Sequence, residues 1–278
     1  MRNKLKILDL FSGIGGFSLG LERTGGFETV AFCEIEDYPR RVLAKHWPDV
    51  PCYEDVKELT HERLAADGLG GIDIIVGGYP CQPFSTAGQR RGAEDDRHLW
   101  PEVKRLMATV RPAWGVFENV AGHVSMGLDE VLSDLEGEGY SAWPTIIPAC
   151  AVDAPHRRDR VWIVAHCSEL QRDGCGEHSE QGPRQVPEFR DNGSAEFMAD
   201  AFNGRREEQR EWERAAFIGI KWRGRWLPEP NVGRVAHGVP SRVDRLKCLG
   251  NAVVPQIPEM IGYAILEAEA ADRRNYEV

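Results

Sequence analysis

Over the first 165 residues, short apolar runs rich in β-branched side chains alternate with amphipathic stretches. The runs at Lys6–Phe11, Glu28–Glu34, Ile72–Gly78, Ala113–Val120, Ser141–Ile147 and Arg160–Ala165 predict strands, and a shorter one is expected to end at Asp55. Helical spacing fits Gly16–Arg23, Tyr38–His46, Lys57–Asp67, His98–Val110 and Leu128–Gly137, several with acidic residues early and a glycine soon after the end. Strands and helices alternating in this way predict a parallel sheet covered by helices, a doubly wound α/β domain.

Past Ala165 the texture changes. Residues Cys167–Asn203 are rich in Gly, Ser, Gln, Glu and Arg and show no period, which places a domain boundary here. Phe217–Leu227 then brings Phe, Ile, Trp222 and Trp226, enough apolar bulk for part of this region to pack as a small domain. Pro255–Ala271 predicts one more helix, with Met260, Ile261, Ala264, Ile265 and Ala268 on one face.

With 278 residues, 42% hydrophobic and 28% charged, the chain is neither disordered nor collagen-like. No stretch reaches the roughly 18 consecutive apolar residues of a membrane span, and the opening Met1-Arg2-Asn3-Lys4 lacks a signal-peptide layout, so a cytoplasmic protein is expected. Seven irregularly spaced cysteines are expected as reduced thiols rather than a disulfide framework. The net charge of −10 argues against a nucleic-acid partner until its distribution is considered. His156–Cys248 carries a net of +2 and the remainder −12, and within Phe217–Cys248 seven Lys and Arg face only Glu229 and Asp244. A basic face on an acidic body is therefore open to the chain.

Five motifs carry chemistry. Asp9-Leu10-Phe11-Ser12-Gly13-Ile14-Gly15-Gly16-Phe17 is a strand, a glycine turn and a helix start, where bare backbone and free N–H groups approach a ligand; Glu34, ending the next strand, is placed to accept from ribose hydroxyls. The spacing departs from the usual dinucleotide fingerprint, which weakens a nicotinamide reading, and a turn without a ligand stays open. Gly77-Gly78-Tyr79-Pro80-Cys81-Gln82-Pro83-Phe84-Ser85 exposes a cysteine at a strand's carboxyl end, the place of a nucleophile, the alternative being a buried packing thiol. Glu118-Asn119-Val120 ends another strand with a carboxylate that apolar surroundings would push toward proton donation, against a plain helix cap. His156-Arg157-Arg158-Asp159-Arg160 opens a strand and puts Arg158 and Arg160 on one face by the period of two, against a solvated edge. Gly250-Asn251-Ala252-Val253-Val254-Pro255 turns into the last helix and means little alone.

Together and in this order, the five closely resemble the C5-cytosine-specific DNA methyltransferases, over Lys6–Ala165 and from Leu249 to about Ala264. The resemblance implies a Rossmann-like S-adenosylmethionine-dependent methyltransferase fold with a smaller inserted target-recognition domain: residues 1–166 and 249–278 catalytic, 167–248 for recognition. It makes Cys81 the nucleophile that adds to C6 of a flipped-out cytosine and Glu118 the group at N3 and the exocyclic amine. Arg160 then contacts O2 and Arg158 orients the catalytic loop, while His156 stands where relatives commonly carry Gln. The cofactor, S-adenosylmethionine leaving as S-adenosylhomocysteine, is assigned to Phe11, Gly13, Ile14, Gly15, Glu34, Ile35, Asp55, Val56, Pro80, Leu99, Asn251 and Val253, with Ile35 replacing an aromatic common in relatives.

Duplex DNA is the implied partner, through Gln82, Ser85, Arg90 and Arg91 of a mobile loop and through Trp222, Arg223, Arg225 and Trp226 of the recognition segment, the tryptophans alternatively forming that segment's core. A cognate restriction endonuclease is left open, a monomer suffices for one flipped base, and DNA is expected where the protein resides, at the nucleoid. Cys167, Cys175 and His178 lack a fourth ligand and fit no zinc spacing, so no metal is expected. Two other readings stay open: a tRNA cytosine-5 methyltransferase of the same fold, and a non-catalytic DNA-binding protein on this scaffold.

Overall fold

The computed structural model describes residues 4–80, 99–167 and 242–276. By its internal contacts the chain divides into Met1–Cys167 with Gly224–Val278 and, separately, Ser168–Arg223; every described residue belongs to the first unit. Its strands are β1 (Leu5–Leu10), β2 (Phe27–Cys33), β3 (Cys52–Tyr53), β4 (Ile74–Gly77), β5 (Trp114–Val120), β6 (Ser141–Pro148) and β7 (Asp159–His166). The helices are α1 (Gly16–Arg23), α2 (Asp37–His46), α3 (His61–Ala66), α4 (Trp100–Val110), α5 (Leu128–Gly137), α6 (Arg242–Asn251) and α7 (Gln256–Tyr276), with 3-10 turns at Ala121–Ser125 and Ala149–Val152.

The sheet order is β3-β2-β1-β4-β5-β7-β6. The first five of these strands pair in parallel, whereas β7 runs antiparallel to both β5 and β6, so the expected all-parallel sheet is corrected to a mixed one. The cause is the connection between β6 and β7: it holds only a 3-10 turn, and a parallel return needs a longer crossover, usually a helix. The consequence is functional. Because β7 is reversed, its first residues lie beside the last residues of β5, with Val120 opposite Arg160 and Glu118 opposite Trp162.

Strands buried on both faces supply the core: Ile7, Leu8 and Leu10 of β1, Ile74 to Val76 of β4, and Val161 to Ala165 of β7. Cys167, just past β7, is buried with them. α3 is shorter than the expected Lys57–Asp67, because Thr60 caps its start by accepting from Arg63 N, while Asp55 accepts from Lys57 N in the turn before. The last segment closes over α1, where a Cβ on Gly16 would come within 2.9 Å of the Val253 carbonyl oxygen and one on Gly262 within 2.9 Å of Leu21. Small residues at both places let α7 lie close enough to bring Val253 to the sheet's carboxyl edge.

Candidate functional site

The strand order reverses between β1 and β4, and in open α/β sheets the crevice at such a point, outside the carboxyl ends, is where ligands bind. A cleft of about 400 Å³ lies there, and its wall includes Phe11, Gly13, Ile14, Glu34, Ile35, Asp55, Val56, Pro80, Leu99, Asn251 and Val253, together with Glu118, Arg158 and Arg160. Gly15 stands apart from that wall as the N-cap of α1, at φ 81°. Cys81, Gln82, Ser85, Arg90, Arg91, Trp222, Arg223, Arg225 and Trp226 lie outside the described residues, as do Cys175 and His178.

The glycine turn is shaped from below. Phe11, Gly13 and Gly15 all have positive φ (51°, 53° and 81°), a conformation rare for a bulky residue such as Phe11. A Cβ on Gly15 would come within 2.7 Å of the Trp47 ring, while one on Gly13 would meet nothing, so Gly13 offers bare backbone to the cleft. Glu34 is buried and ties two loops together: one carboxylate oxygen accepts from Gly13 N and the other from Glu36 N, each at 2.8 Å. Beneath the turn, fully buried Asp9 accepts at Oδ2 from the Ser18 hydroxyl (2.7 Å) and from Ser18 N (3.3 Å), supplying the cap that Gly15 lacks. Burial pushes the Asp9 carboxyl up to about 8, against the lowering effect of the Ser18 bonds.

On the other side of the cleft, Glu118 Oε1 lies 2.7 Å from Arg160 Nε, with only 12% of the Glu118 side chain exposed. Burial raises the Glu118 pKa, while Arg160 and Arg158 pull it down; the net direction is upward. Arg158 reaches this carboxylate's field from outside the strand, at φ 39°, so strand alternation is not what gathers it with Arg160. Gly78 leaves room for the acid, since a Cβ there would sit 3.3 Å from Glu118 Oε2. Burial of Arg158, together with the nearby Arg160, lowers its own pKa.

Among the described cysteines, burial pushes Cys33 up to about 12 and Cys52 up to about 11, so neither supplies a thiolate near neutrality. No cluster of three or more His, Cys, Asp or Glu able to hold a metal occurs among the described residues. Nor is any described helix long and apolar enough to cross a membrane.

A family model for C-5 cytosine-specific DNA methylase matches residues 5–218, well over half of the chain. The chain belongs to that family. Similar relatives include the Type II methyltransferase M.HgiBI of Herpetosiphon aurantiacus, 35% identical over 62% of this chain and 39% of its own length. The orphan methyltransferase M.SPRI of Bacillus phage SPR is 34% identical over 60% and 39%. The chain thus spans about 39% of the length of these curated relatives. A DNMT2 variant of Spodoptera frugiperda matches 95% of this chain and 99% of its own with TM-score 0.60 at 16% identity, a likeness of fold.

Within this methylase-family chain, several residues at the site escape motif reading. Asp9 had one signal, a carboxylate inside an apolar strand, yet nothing local names Ser18 as its partner. Lys247 Nζ, 2.6 Å from Glu36 Oε1, and Cys248 join the cleft wall from a segment more than two hundred residues away, a placement no spacing rule reveals.

Proposed function

We propose that the chain is a DNA cytosine-5 methyltransferase that methylates C5 of a cytosine turned out of duplex DNA. The observation that carries this reading is Glu118: a largely buried carboxyl with a raised pKa, paired at 2.7 Å to Arg160, on the wall of a cleft that also holds a glycine turn and an acidic strand end. A carboxyl so placed, its pKa raised by burial, holds a proton to give or share with a ring nitrogen more readily than an exposed one, and the guanidinium beside it orients it and offers donors to a ring carbonyl. Cys81 adds to C6, which together with the proton at N3 makes C5 electron-rich. Loss of the C5 proton and expulsion of the thiolate restore the ring. Because Cys81 cannot reach C6 within a stacked helix, the base must leave the stack.

The donor set fits S-adenosylmethionine. Each Glu34 oxygen accepts one backbone N–H and keeps a second lone pair for a ribose hydroxyl. The bare backbone at Gly13 suits the amino-acid part, Phe11 and the exposed Ile35 suit the faces of adenine, and Asp55 suits its amine. When bound, this cofactor supplies an electrophilic methyl group. Residues 1–166 and 249–278 form the catalytic domain in this reading. Target reading falls within residues 167–248, with Trp222, Arg223 and Arg225 toward DNA and Gln82, Ser85, Arg90 and Arg91 closing on it, in the cytoplasm where the DNA lies. At the edges of that span Cys167 packs in the catalytic core, and Lys247 and Cys248 line the cleft. The test is incubation with S-adenosylmethionine and unmethylated genomic DNA followed by bisulfite sequencing. Methylcytosine in one recurrent short sequence is the expected result; unmodified DNA alongside methylated tRNA, or with neither methylated, overturns the reading.

A further inference from the structure

We propose that His123 is a positioning residue for methyl transfer, which holds Tyr79 so that the chain enters the segment bearing Cys81 in fixed register with Glu118. The inference rests on the methyltransferase reading above. Tyr79 and His123 are both buried, at 4% and 6% exposure, and the Tyr79 hydroxyl lies 2.8 Å from His123 Nε2. Burial lowers the His123 pKa, which favours a neutral ring; the phenol donates to Nε2 in one tautomer and accepts from it in the other, and either way the two groups answer each other.

A second tie reaches the same residue: Asn119 Nδ2 donates to the Tyr79 carbonyl at 3.2 Å, while Asn119 Oδ1 accepts from Val120 N at 2.8 Å. Both ties come from the segment that follows Glu118, so Tyr79 is held by backbone and by side chain from one source. Its ring packs against Trp100 (5.1 Å between centroids) and Phe117 (6.5 Å), and Gly127 fits under the imidazole, where a Cβ would come within 3.0 Å. A phenylalanine fills such an aromatic box as well. Burying a hydroxyl and an imidazole there instead is unfavourable unless the two satisfy each other, and what a satisfied buried polar pair adds over an apolar one is a single geometry. The residue so oriented stands two positions before Cys81, and its neighbour Gly78 faces the Glu118 carboxylate. The tie therefore fixes, relative to Glu118, the point from which the chain runs on to Cys81.

The wild-type chain, Tyr79→Phe, His123→Leu and His123→Gln are compared for kcat, for KM with unmethylated genomic DNA, for the S-adenosylmethionine dissociation constant and for Tm. Tyr79→Phe and His123→Leu are expected to lower kcat about tenfold while cofactor affinity stays unchanged, and His123→Gln, whose side-chain amide can still meet the phenol, to recover most of the loss. Wild-type kcat in Tyr79→Phe, or a loss confined to cofactor affinity or Tm, overturns the proposal. Tyr79→Phe removes a single atom from a ring that keeps its packing, so it decides the matter even if His123→Leu does not fold. An inactive parent chain overturns the methyltransferase reading and this proposal with it, whereas an active parent with unaffected variants overturns this proposal alone.

Discussion

Asp9→Asn is expected to make the protein less sensitive to rising pH. In the folded chain the Asp9 carboxyl is pushed from its ordinary 3.8 up to about 8, because burial outweighs the two bonds from Ser18. Its other oxygen, Oδ1, has no hydrogen-bond partner among the described residues, so ionising Asp9 would leave charge on a buried atom with no donor to answer it. A carboxyl whose folded pKa lies above its unfolded value contributes stability that is fully present below about 4. That contribution is lost progressively as pH rises through about 8, since only the unfolded chain releases the proton across that window. Between pH 6 and 8 the loss amounts to about 2 kcal/mol. In Asp9→Asn the amide oxygen takes the place of Oδ2 and the NH2 group that of the protonated Oδ1, and neither ionises. Urea unfolding of both proteins at pH 6, 7 and 8 tests this: the wild type loses about 2 kcal/mol more than the variant over the interval. Parallel pH profiles would show that Asp9 ionises normally and that burial is not what governs it.

Cys81→Ser is expected to abolish methyl transfer and leave S-adenosylmethionine binding intact by calorimetry; retained turnover would remove the covalent mechanism. Glu34→Ala takes the acceptor from two backbone N–H groups and from the cofactor's ribose, so the S-adenosylmethionine dissociation constant should rise about tenfold or more, and an unchanged value would displace Glu34 from the cofactor site. Arg160→Met removes the guanidinium that pulls Glu118 down, so the Glu118 pKa rises further and the alkaline limb of the kcat profile moves to higher pH. A limb that stays in place would uncouple the pair.

Local chemistry explains where sequence reading succeeds. The spans expected for α1, Gly16–Arg23, and α5, Leu128–Gly137, coincide with those found, because a glycine turn before the one and apolar spacing along the other are signals carried within a few residues. The start of α3 is harder to place, since Lys57 to Thr60 reads as helical although Asp55 takes the Lys57 N–H and Thr60 caps the helix at Arg63 N. The direction of β7 was illegible for a different reason: an apolar run carries no mark of orientation, which depends on the strand it pairs with.

By itself, then, the sequence determined which polar and glycine residues stand at the ends of which apolar elements. The glycine turn, Glu34, Glu118, Arg158 and Arg160 each stand at or beside one end of an apolar run, a placement legible over short range, while their roles rest on the resemblance of the whole set. The tertiary structure alone decided which of them meet. Reversing β7 carries Arg160 to within 2.7 Å of Glu118, and Asn119 and His123 both reach Tyr79, forty and forty-four positions back. The pKa shifts of Asp9 and Glu118 likewise arise from burial by distant strands. Each of these depends on distance through space and on exclusion of water, which packing creates and the order of residues does not record.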